Sequence, residues 1–182
     1  MKHLLIACLA ACCTLVAAQP TPAVNRTPEQ VHAESAMGMF LRLCMRTGAQ
    51  PALVRTEAAA MGFAVLPAND ASRFTGPTGG TAWSVQLKNG GQFALALDGE
   101  GVCSVYVRRV SDKALQKEAS AWLPPVDSGY QALTSPPVSK DGLDTTSWVI
   151  LRDKKPFARW VLSTTAAADA PFQGVISLRM EK

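Results

Sequence analysis

From Trp83 onward the apolar residues of this chain recur at every second position, and no other feature narrows its possible folds as much. Trp83, Val85 and Leu87 alternate with Ser84, Gln86 and Lys88, then Phe93, Leu95 and Leu97 resume the alternation, then Cys103, Val105 and Val107 do so again. A period of two puts one set of side chains on one face of a pleated strand. Asn89-Gly90 and Asp98-Gly99-Glu100-Gly101 separate the runs with turn chemistry, which predicts three antiparallel strands. A second set follows the same logic. Trp148 and Ile150 lead into Asp153-Lys154-Lys155-Pro156, Phe157 to Thr164 returns, and after a loop over Ala166 to Pro171 the residues Ile176, Leu178 and Met180 alternate with Val175, Ser177 and Arg179.

A sheet with one apolar face needs a cover, and the remaining sequence supplies helices. Thr27-Pro28-Glu29-Gln30 combines a capping residue, proline at the first helical position and Gln30 placed to complete a capping box. Ala33, Ala36, Met37, Phe40, Leu41 and Cys44 then share one face, with His32, Ser35, Arg42 and Arg46 on the other. Gly48 permits a turn, Pro51 opens a second helix through Met61, and Gly62 stops it. Ser111-Asp112 begins a third helix with Leu115, Ala119 and Trp122 on its apolar side, ended by Pro124-Pro125. Val126 to Asp144 reads as a long irregular connection. The expected fold class is α+β, a single domain over residues 29–182: an N-terminal helical hairpin, then antiparallel strands in two groups of three separated by a helix (α-α-β-β-β-α-β-β-β). The helix-then-three-strands plan occurs twice without a recognisable repeat of residues.

The N-terminus carries an address. Met1-Lys2-His3 is a short positive region, and Leu4 to Ala18 is uncharged and apolar, shorter than the about 20 residues of a membrane span, so residues 1–18 read as a signal peptide. Val16-Ala17-Ala18 offers small residues for cleavage before Gln19, which leaves residues 19–28 as a polar linker and a periplasmic or secreted protein. Leu9-Ala10-Ala11-Cys12 resembles a lipobox, and that alternative makes Cys12 the site of lipidation on a membrane-anchored lipoprotein. Removal of the signal takes away Cys8, Cys12 and Cys13 and leaves Cys44 and Cys103. A lone pair in an oxidising compartment predicts a disulfide joining the first helix to the third strand.

The chemistry available to such a chain is sparse. Once His3 is lost, His32 is the single imidazole, expected as an exposed surface residue, and no serine or cysteine lies in a nucleophile motif. The pairs Asp98 with Glu100 and Asp141 with Asp144 fit turn formation and loop solvation. Gly76-Pro77-Thr78-Gly79-Gly80 precedes a strand and opens no helix, so it reads as a flexible connection and not as a phosphate loop. One histidine and two distant cysteines give no metal-ligand spacing, and neither metal nor other cofactor is expected. Loss of Lys2 takes the formal charge from +4 to +3, with Arg108-Arg109 and Lys154-Lys155 the adjacent basic pairs, which argues against a nucleic-acid partner.

The signal segment, Phe40-Leu41-Arg42-Leu43-Cys44, Met61-Gly62-Phe63, Trp83 at a strand opening and Cys103 in a later strand together resemble a family of small exported proteins of Gram-negative bacteria. The resemblance implies an envelope address and a disulfide, and brings no catalytic residues. The expected function is that of an exported, non-enzymatic binding or accessory protein of the cell envelope, whose partner is an envelope protein or a small ligand. Membrane attachment would come only through a lipid at Cys12. The alternatives are a small periplasmic hydrolase using His32 or a carboxylate pair, and an inhibitor or immunity-type protein.

Overall fold

The computed structural model describes residues 26–181. The expected signal peptide 1–18, the lipidation candidate Cys12 and most of the expected linker lie outside the described residues. Thr27 caps α1 (Pro28–Met39) as its sequence requires, its side chain accepting from the Gln30 amide while the Gln30 side chain accepts from the Thr27 amide. The helix continues without interruption as a π-helical turn over Phe40–Met45, which brings both Leu43 and Cys44 into the core. Pro51 starts α2 (Pro51–Ala60). Gly62, at φ +77°, ends it in a Schellman motif, with the Phe63 amide donating to the Ala58 carbonyl and the Gly62 amide to that of Ala59. Arg42 and Glu57 join the two helices at 2.7 Å, and that guanidinium holds the Glu57 carboxyl below its ordinary range.

The strands are β1 (Ala64–Val65), β2 (Gly80–Gln86), β3 (Gln92–Asp98), β4 (Cys103–Val107), β5 (Tyr130–Thr134), β6 (Val138–Lys140), β7 (Leu143–Arg152), β8 (Lys155–Thr164) and β9 (Gly174–Met180). All pair antiparallel in one sheet of order β1-β2-β3-β4-β9-β8-β7-β5, with β6 also on β7. The expected strands correspond to β2-β3-β4 and β7-β8-β9, but the grouping into two threes matches only in part, since β1, β5 and β6 belong to the same nine-stranded sheet. The two threes are parts of one surface and not separate sheets, because β9 pairs with β4, Val105 opposite Ile176.

Four further elements correct the expected order. The helix α3 (Ala68–Thr75) and the short strand β1 precede the first strand group, and β5 and β6 occupy what was expected to be an irregular connection from Val126 to Asp144. The helix α4 (Asp112–Ala121) follows its Ser111 cap as expected, but it ends before Trp122, which is 54% exposed and does not share the buried face of Leu115 and Ala119.

One face of the sheet carries the core. Phe93, Leu95, Val105, Trp148, Ile150, Trp160, Leu162, Ile176 and Leu178 are buried beneath α1, its π turn and α4. Phe40 meets Trp160 edge-on at 5.0 Å, and the Trp160 indole donates to the Met45 sulfur. The Cys44–Cys103 disulfide fastens this helical layer to the first residue of β4, with Cα atoms 5.5 Å apart and both cysteines fully buried. It closes a loop of 59 residues, and chain entropy alone makes such a cross-link worth about 4 kcal/mol.

Candidate functional site

Among the described residues, the opposite face of the sheet is covered only at its β1–β4 end, by α3, and the edge of that cover forms a groove. Ala82 on β2 and Ala96 on β3 are small, so the helix approaches closely and buries Ala71 between them. Tyr106, which points outward between the core residues Val105 and Val107, donates its phenol to the Phe74 carbonyl at 2.9 Å. That bond satisfies a carbonyl in the last turn of α3, which has no partner within the helix. Burial pushes the Tyr106 phenol above its ordinary range, and the Asp98 carboxylate adds to the effect.

The second wall comes from the loop between β8 and β9. Phe172 completes a trio with Phe74 and Tyr106, all three pairs edge-on at 5.1 to 5.5 Å. Gln173 fixes this loop from both ends of its amide. Its Nε2 donates to the Ala170 carbonyl at 2.9 Å, and its Oε1 accepts from the Arg109 amide at 2.8 Å.

Between these walls lies a groove of about 610 Å³. Ser84, Gln86, Gln92 and Ala94 form its floor, Leu66 and Phe74 one side, and Pro171 and Phe172 the other. Asp70 and Arg73 from α3 and Arg108, the residue after β4, also line it. Arg108 is oriented by Gln92, whose Oε1 accepts from Nη1 at 3.1 Å. Neither arginine has a carboxylate within 4 Å among the described residues.

The residues singled out in the sequence do not assemble here. His32 is buried, not exposed as expected, at 3%. The β2–β3 loop at Gly91 and the edge of the Phe93 ring lie against it, and a second packed surface on α1 cannot be seen from that helix alone. Its Nδ1 donates to the Arg109 carbonyl at 2.8 Å, and its Nε2 has no hydrogen-bond partner. Asp98 accepts from the Glu100 and Val102 amides and shapes its turn, while Asp144 accepts from Ser139 at the β6–β7 hairpin. The segment Gly76–Gly80 is not a loose connection. It forms a 3-10 turn and the start of β2, where Gly80 lies so close to the Leu97 carbonyl that a Cβ would collide with it.

Arg108 and Arg109 diverge, one to the groove and the other, at φ +55°, to the corner before α4. Lys154 sits in a hairpin tip, Trp160 is buried in the core, and Phe157 stacks edge-on against Tyr130. Among the described residues no three His, Cys, Asp or Glu side chains are placed to hold a metal ion, and no helix is long and apolar enough to cross a membrane.

Arg73, Phe74, Tyr106 and Phe172 are the groove residues that sequence reading passes over. Their only signal is an arginine beside a phenylalanine in a short polar stretch and a tyrosine on the polar side of a strand. Comparison of the chain with protein-family models, with curated proteins and with solved structures gives no match.

Proposed function

We propose that this is an exported protein of the bacterial envelope that binds a ligand without transforming it, and that the groove between α3 and the β8–β9 loop is its binding site. The observation that carries the reading is a braced concavity of about 610 Å³ on the sheet face away from the core. That size is within the range of sites for small organic ligands, and both walls are held by hydrogen bonds before any ligand arrives. Binding is favoured over hydrolysis by placement. The buried imidazole of His32 is committed to a backbone carbonyl, and Asp70 is the one carboxylate that lines the groove. Export is supported by the apolar N-terminal segment and by a fully buried disulfide, a bond that persists in oxidising compartments. The same N-terminal segment keeps a lipid-anchored form through Cys12 as the alternative mode of export.

The test is intact mass of the full gene product recovered from the periplasm of a Gram-negative host. A chain starting at Gln19, about 2 Da lighter before reduction than after, is the expected result. A diacylglyceryl adduct on a chain starting at Cys12 would replace the free form by the anchored one. Retention of an unprocessed, fully reduced chain in the cytosol would remove the envelope reading.

A further inference from the structure

We propose that the groove selects a soluble amphipathic organic monoanion, an acidic head group on an aromatic or branched apolar body; this assignment rests on the groove being the binding site. Two arginines, Arg73 and Arg108, line the same space as Leu66, Phe74, Pro171 and Phe172. A guanidinium offers five N–H donors in a planar fork, and Arg108 spends one of them on Gln92, which fixes the plane and leaves the others for a ligand. Without a carboxylate within 4 Å, neither cation is neutralised by the described residues. An acid group set between them gains charge-assisted hydrogen bonds, strengthened where apolar walls exclude water.

Asp70 sets the charge of the ligand. With two arginines and one aspartate the lining is net +1, which a monoanion balances and a dianion would overcompensate. The aromatic trio sets its body. Phe74, Tyr106 and Phe172 pack edge to face in a fixed apolar wall, which suits a ring or branched chain laid along it. A nucleic-acid strand or acidic polymer would need a line of cations, and the groove presents two.

Two fluorescent probes with the same hydrocarbon body separate the terms: 8-anilinonaphthalene-1-sulfonate carries the charge, and N-phenyl-1-naphthylamine does not. The full chain should bind both, the sulfonate more tightly. Arg73→Gln and Arg108→Gln should each weaken the sulfonate about tenfold and leave the neutral amine within about twofold, while Asp70→Asn should tighten the sulfonate. Phe172→Ala should weaken both probes. All four positions are at least partly exposed, and an unchanged thermal midpoint confirms that the variants fold.

The outcomes divide cleanly. If Phe172→Ala weakens both probes but the arginine variants change neither, the groove binds and the anion assignment is overturned. If neither probe responds to Phe172→Ala, the groove is not the binding site and both readings fall. Sedimentation with phosphatidylglycerol vesicles that is lost in both arginine variants would overturn the soluble anion in favour of a lipid head group.

Discussion

At the scale of single residues, His32 has the most unusual surroundings. The Arg109 carbonyl can only accept, so Nδ1 donates to it, and Nε2 is buried without a hydrogen-bond partner among the described residues. Burying an unpaired polar nitrogen costs about 1–3 kcal/mol, which the Nδ1 bond and the contact with Phe93 must offset. Truncation to alanine removes the bond and opens a cavity beneath the β2–β3 loop. His32→Ala should lower unfolding free energy in urea by about 2 kcal/mol and leave probe binding in the groove unchanged. A loss of binding without loss of stability would assign the imidazole a direct role. The helical pattern correctly turns Cys44 and Phe40 inward, but it records only one direction of burial. The Arg109 corner that covers His32 is 77 positions away in the chain. Arg73 and Phe74 were illegible for a related reason, since their meaning depends on Phe172 across the groove.

Elements were legible in proportion to how strongly one of their faces is buried. The alternations from Trp83 to Val107 and from Trp148 to Met180 appear as β2-β3-β4 and β7-β8-β9, because each strand gives one side to the helical layer. β5 and β6 are mostly exposed at the sheet margin and carry no such pattern. α3 has only Ala71 and Thr75 buried, and its Asn, Asp and Ser residues favour turns when read alone. Turn chemistry was read more reliably than its strain. Asp153 and Lys154 lie at φ +50° and +64° in the two-residue tip between β7 and β8, a primed turn made without glycine. Lys154→Gly removes the steric cost of that conformation and should raise stability by about 0.5–1 kcal/mol in thermal or urea unfolding. Destabilisation would mean that the lysine side chain contributes more than its backbone strain costs.

On the scale of the whole molecule, the sheet is one surface with two different faces. The first is sealed by helices and stapled to them through Cys44 and Cys103, so it sets stability. Among the described residues the second is covered only where α3 packs, which leaves room for the proposed binding groove. Sequence pattern reports the first because burial leaves a periodic trace. It is silent on the second, where polar and apolar side chains mix and the groove is made by segments far apart in the chain. The topology also has a temporal consequence. β9 is the ninth strand to be synthesised, yet it lies between β4 and β8 and joins the two halves of the sheet. Until Gly174–Met180 has been synthesised, both neighbours present open edges and Ile176 and Leu178 are missing from the core. A nascent chain halted before Gly174 should therefore be digested rapidly by protease, and one released with β9 should resist; protection before β9 would disprove the dependence. Under the export proposed above, such a topology would make the order of translation its own safeguard against folding too early.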